Sequence, residues 1–169
     1  MAQPTNMDKL CESAAEFNVQ LQALAEAVDR DISQVVRGSV LRLYSKIIQI
    51  SPVDTGTYRA SHDIANHEPG DNEGIVKSPH KPSQGEAKTA QAEQKSWADA
   101  QQVKKKKAWT WRPGDGSIWI FNNVPYAVPL EEGHSKQAAA GIYNVALSGM
   151  AGYMAEEIAK TTTITGMGE

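Results

Sequence analysis

Four histidines, one cysteine and two adjacent carboxylates are the side chains from which a catalytic or metal centre would have to be assembled. His62, His67, His80 and His134 are scattered along the chain. His62 and His67 lie too far apart to set two imidazoles on one helical face toward a zinc ion, so no metal site is expected. Glu131 and Glu132 are neighbours, and adjacent side chains rarely converge on one target. A surface role is expected for them. Cys11 has no base beside it that would make a thiolate nucleophile. Gly114 and Gly116 precede an apolar β-branched run, whereas a phosphate-cradling loop leads into a helix and ends in Lys-Ser or Lys-Thr. Nothing here forms a catalytic constellation: the chain reads as a non-enzyme without a cofactor.

The charges suggest binding instead. Lys104, Lys105, Lys106 and Lys107 form an unbroken basic run just before Trp109 and Trp111. One reading makes it the end of a polar helix, where cations offset the macrodipole. The other is contact with DNA or an acidic neighbour, the lysines neutralising phosphates and the indoles stacking on bases. The net charge of −3 gives no global sign of nucleic-acid binding.

These residues must be held by a chain of 169 residues that is 40% hydrophobic and 22% charged. That suits one domain with a real core and much exposed chain. A single cysteine rules out an intrachain disulfide framework, which fits assembly in a reducing cytoplasm. Residues 1–15 lack the apolar centre of a signal peptide, and no run has the apolar length of a membrane span.

The stretch Ser51-Pro-Val-Asp-Thr-Gly-Thr-Tyr-Arg-Ala-Ser61 divides the chain. Before it, Phe17, Leu21, Leu24, Val28, Ile32, Val35, Val36, Val40, Leu43, Tyr44 and Ile47 recur at spacings of three and four. They predict one long amphipathic helix, from a cap at Ser13 with Glu16 behind it to Ile50. Such a helix is long for so small a domain, so part of it is expected to serve a neighbouring subunit. Gly38 interrupts it, as a kink or a close contact. Pro52 ends it. Pro52, Val53, Asp54, Thr55 and Gly56 form the turn, with Gly56 free to take a positive φ.

Thr57 to Ala65 is predicted as a strand, with Tyr58, Ala60, His62 and Ile64 on one face. Gly74–Ser78 is a weak pairing partner for it. Residues 84–108 are polar and helix-prone, with Ala90, Trp97, Ala100 and Val103 as sparse anchors, and read as a weakly docked insertion. Ser117–Phe121 is the clearest strand. Val124–Gly133 is a short helical or irregular segment, and Ile142–Val145 is strand-like. Tyr143, Leu147, Met150, Met154 and Ile158 then give a C-terminal helix to about Lys160. The chain thus divides into an arm (1–12), one α+β domain (13–160) and a tail (161–169). In that domain a small mixed sheet is expected to pack against the long first helix and the C-terminal helix.

Two separated signatures carry a resemblance. Ser51–Ser61 is one. The other is Ile-Phe-Asn-Asn-Val-Pro-Tyr-Ala-Val-Pro-Leu-Glu-Glu-Gly-His-Ser-Lys-Gln-Ala, residues 120–138. In this order, with a polar helix between, they resemble the minor tail protein Z and tail-completion (neck, head–tail joining) proteins of long-tailed bacteriophages. Pro52–Gly56, Arg59, Asn123, Pro125–Ala127, Glu131, Gly133 and Ser135–Gln137 occupy the family's positions. His134 stands where the family carries an aromatic such as Trp. The resemblance implies a non-catalytic α+β virion subunit, made in the host cytoplasm. It would assemble into a homo-oligomeric ring, hexameric by expectation, between the capsid connector and the tail. Its partners would be itself, the connector or adaptor, the tail terminator and the tail tube, with DNA in the channel. A tail terminator capping the tube is the alternative, as is a DNA-contacting module using Lys104–Lys107. Within this reading Arg59, Tyr126, Glu131, Gly133 and Lys136 are subunit-interface candidates. Arg59 would be exposed and pair with Glu131, and Tyr126 would pack on the sheet. Charge reversal at Arg59 would then block joining of tails to heads and leave the monomer folded.

Overall fold

A computed structural model describes residues 6–80 and 87–165, with side chains over 16–80 and 90–161. The helix α1 runs over Asn6–Ile50. It begins before Ser13 and passes through it, so Ser13 is not its cap. Residues 1–5 lie outside the described residues. The helix ends where expected: the Ser51 hydroxyl donates back to the Ile47 carbonyl at 2.7 Å, and Pro52 supplies no further amide donor. Gly38 marks a close contact. A Cβ there would lie 2.5 Å from a carboxylate oxygen of Glu157 on the last helix.

After the turn the chain forms α2 (Thr57–Ser61) and only then β1 (Asp63–Ala65). The strand expected over Thr57–Ala65 is therefore mostly helix. Gly56, at φ 85°, turns the chain, and the Ala60 amide reaches the Gly56 carbonyl at 2.9 Å. Tyr58, Arg59, Ala60 and Ser61 are all buried, so no alternation survives there. Gly74–Ser78 is not a strand. The Ser61 hydroxyl bonds both the Val76 amide, at 3.0 Å, and the Val76 carbonyl, at 3.4 Å. One side chain thus does the work of a ladder rung.

The polar helix α3 spans Ala87–Ala108 and docks by means other than those expected. Ala100 is exposed and Val103 is 49% exposed, whereas Gln94, Ala98 and Gln102 are buried. The strand β2 (Trp119–Phe121) pairs antiparallel with β1, Ile64 opposite Ile120. The helices α4 (Ala127–Glu131), α5 (Tyr143–Leu147) and α6 (Met150–Thr165) follow. Ile142–Val145 is thus the start of a helix, not a strand. The helix α6 also continues past Lys160; residues 166–169 lie outside the described residues.

The architecture is α+β: a two-stranded sheet and short helices gathered around the C-terminal half of α1. Leu43 and Ile47 pack with Tyr58, Val124, Ile142 and Ala146. Val40, Tyr44 and Ile48 pack with Ile64 and Trp109. Among the described residues the N-terminal half of α1 has no such cover. The same stripe that is core further on leaves Phe17, Leu21, Leu24, Val28 and Ile32 between 44% and 62% exposed. The 11-residue repeat of 17/21/24 and 28/32/35 keeps these residues near one face of a straight helix. Toward the domain Ile32, Val35 and Val36 line an open cleft of about 270 Å³ together with Ile158 and Thr161 of α6. Among the described residues no helix is long and apolar enough to cross a membrane.

Candidate functional site

The two signature segments meet. Gln137 brackets Val53: its side-chain oxygen accepts the Val53 amide at 3.1 Å, and its amide nitrogen donates to the Val53 carbonyl at 3.3 Å. Pro52–Gly56, Tyr58, Tyr126, Leu130, Ser135 and Gln137 enclose a cleft of about 380 Å³ at this corner. Gly56 seats the corner on α3. A Cβ there would stand 2.8 Å from the Gln94 carbonyl, a backbone atom that cannot swing away, in a backbone region L-residues avoid. Thr55 accepts the Thr57 amide at 3.3 Å and tightens the turn, and Asp54 faces solvent.

Behind the corner lies a polar core that sequence reasoning did not find. His62 is fully buried. Its Nε2 is 2.7 Å from the Ser51 hydroxyl, and its Nδ1 is 2.9 Å from the Tyr143 hydroxyl. The Ser51 proton is committed to the Ile47 carbonyl, so His62 donates through Nε2 and accepts from Tyr143 at Nδ1. A serine nucleophile needs the reverse proton direction and an open approach, and this pair offers neither. Burial, with Lys105 and Arg59 nearby, pushes the imidazole pKa down to about 3. The His62 carbonyl collects Tyr44, Gln102 and Lys105 as donors. Gln102 also serves the carbonyls of Arg59 and Ala60, which α2 leaves unpaired at its C-terminal end. The alternation of Tyr58, Ala60, His62 and Ile64 was the available signal: it set one histidine among inward-facing residues.

Arg59 is buried, not exposed. Its Nε donates to Asp99 of α3 at 2.6 Å, and it reaches the carbonyls of Gln49 and Ser51 at 3.3 and 3.4 Å. It does not pair with Glu131. That carboxylate accepts the amides of Ile142, Tyr143 and Asn144 at 2.8, 2.9 and 3.1 Å, and so starts α5. Gly133 serves an internal approach, since a Cβ would sit 2.5 Å from the Ala139 carbonyl at φ 86°. Tyr126 does not lie on the sheet. It is 44% exposed, with its ring 6.3 Å from that of Tyr58. Of the five interface candidates, only Tyr126 and Lys136 are exposed. Replacing Glu131 by Gln weakens the three amide contacts and removes a charge from the first turn of α5. A loss of about 1 kcal/mol is expected in urea unfolding.

The lysine run is divided. Lys105 reaches Asp63 at 3.1 Å and the carbonyls of His62 and Gly74 at 2.9 and 3.1 Å; its burial holds its pKa below the usual lysine value. Lys106 donates to the Ser45 hydroxyl at 2.8 Å. Lys104 and Lys107 alone are exposed, so the four do not form one cationic strip. Among the described residues no three of His, Cys, Asp and Glu come together as a metal site would require. Compared with protein-family models, with curated proteins and with solved structures, the chain matches none.

Proposed function

We propose that this chain is a structural subunit of a bacteriophage virion, a tail-completion or head–tail joining protein that works beside copies of itself. The observation that carries the reading is the bare apolar stripe Phe17–Leu21–Leu24–Val28–Ile32. A stripe this long, on a helix of about 68 Å, is an association surface, since water-exposed apolar area of that extent is costly. The two signature segments, joined at Val53 and Gln137, give the resemblance a physical content: they build the corner that orients α3 and α4 around the end of α1. The DNA-contacting alternative has less behind it, because Lys105 and Lys106 are engaged within the chain.

The test has two parts. Wild-type protein is expected to run as an oligomer in light scattering, and Leu21→Glu with Leu24→Glu to run as a folded monomer with its helical circular dichroism intact. Antibody labelling of particles is expected at the junction of capsid and tail. A wild-type protein that stays monomeric at high concentration, or label found elsewhere on the particle, would defeat the reading.

A further inference from the structure

The last helix accompanies the stripe of α1 only part of the way. The two helices run antiparallel: Met150 packs with Val40 and Tyr44, Glu157 faces Gly38, and Ile158 and Thr161 share a cleft with Ile32 and Val35. The helix α6 ends at Thr165, one turn past Thr161, so at that pairing it reaches about the level of Val28. Phe17, Leu21 and Leu24 lie beyond its end and are 53% to 62% exposed. Residues 16–26 are all exposed, so this part of α1 projects from the domain as an arm.

Where α6 does accompany α1, the two helices leave a second apolar surface. Ile32, Val35 and Val36 line one side of the open cleft of about 270 Å³, and Ile158 lines the other. Ile158 is 50% exposed, and Met154, one turn earlier on α6, is 41% exposed. Asp31 and Thr161 are the polar residues of the lining. The arm of the same chain cannot reach this groove, because on one continuous helix Phe17 lies about 22 Å from Ile32. Each chain therefore carries two separate apolar patches, one on the arm and one on the groove.

We propose that the groove between α1 and α6 receives the arm of a second copy, head to tail. Phe17, Leu21 and Leu24 of one copy lie against Ile32, Val35, Met154 and Ile158 of the next, as a third helix on the pair. This contact rests on the reading that the stripe is an association surface, and it names what the stripe meets. The apolar lining suits such a helix face and disfavours a charged partner, whose groups would lose water and gain little there. Pairing stripe with stripe about a two-fold axis would cover the arm but leave Met154 and Ile158 in water. The head-to-tail contact covers both patches of a copy that has a neighbour on each side. Because the two patches differ, the contact repeats from copy to copy and closes into a ring when the rotation between neighbours permits.

The test mixes two variants of the full chain, each lacking one side of the contact. One carries Leu21→Glu with Leu24→Glu, so its stripe is disabled and its groove intact. The other carries Met154→Glu with Ile158→Glu, both at exposed positions on α6, so its stripe is intact and its groove disabled. In sedimentation each alone is expected to associate at least about tenfold more weakly than wild type. An equimolar mixture is expected to form a pair and nothing larger, because one working stripe meets one working groove and both remaining ends are disabled. Ile158→Gln alone repeats the second arm of the test should circular dichroism show the double variant unfolded. A groove variant that assembles like wild type, while the stripe variant falls apart, overturns the proposal and leaves the stripe reading standing. A mixture that stays monomeric overturns the proposal as well. A stripe variant that assembles like wild type ends both.

Discussion

Arg59→Glu is expected to unfold the chain. The guanidinium sits at the junction of three elements: Asp99 on α3, and the carbonyls of Gln49 and Ser51 where α1 ends. Those carbonyls are the unpaired acceptors of a helix terminus, and the arginine answers them from inside the protein, 5% exposed. A glutamate there sets a carboxylate against Asp99 and leaves both carbonyls without a donor. Asp99 is itself 41% exposed, so the cost falls mainly on the buried glutamate and the two unmet carbonyls; it is about 3 kcal/mol or more, a large share of the whole stability of many domains. Circular dichroism and urea titration of purified protein would read it directly. Adding Asp99→Arg is expected to recover part of the loss only, because the restored pair does nothing for Gln49 and Ser51. A folded Arg59→Glu monomer with an unchanged midpoint would return this residue to the surface role that the sequence suggests.

The contrast at Arg59 shows what could and could not be read in advance. The long helix was legible because its apolar residues repeat from Phe17 to Ile47, over about eight turns, and its end was legible because Pro52 is an unambiguous stop. The exposed part of the stripe was anticipated from length alone. Thr57–Ser61 was not legible: five residues that alternate in polarity look like a strand, and only the positive φ of Gly56 and the support of Gln102 make them a helix. The polar insertion misled for a related reason. Its anchors are glutamines and a lysine, and their burial depends on carbonyls presented by α2, by His62 just after it and by Gly74, which no local pattern encodes. The same holds for Glu131. Its three acceptor contacts lie eleven to thirteen residues downstream, so spacing could not tell a helix cap from an interface charge.

The buried histidine makes a second measurable demand, on pH. In the unfolded chain His62 titrates near 6.5, an ordinary value. In the folded chain it is held neutral, its pKa lowered to about 3, first by burial and then by Lys105 and Arg59. Between those values the unfolded state binds a proton that the folded state refuses. Stability is therefore intact above about pH 6.5 and falls as the pH drops toward 3, with a slope near 1.4 kcal/mol per unit. From pH 7.5 to pH 5 the loss is expected to be about 2 kcal/mol, read as a lower urea midpoint with an unchanged slope. Protonation also forces the network to rearrange, since the Tyr143 hydroxyl must turn to accept from Nδ1. Protonation at Nδ1 turns the acceptor of the Tyr143 hydroxyl into a second donor, while Nε2 is already committed to Ser51. Asn122 approaches Nδ1 through its own amide nitrogen and offers no acceptor in that position. His62→Gln is expected to be less stable than wild type at pH 7.5 and to lack most of the fall between pH 7.5 and 5. A variant that keeps the wild-type pH dependence would place the responsible proton on another group.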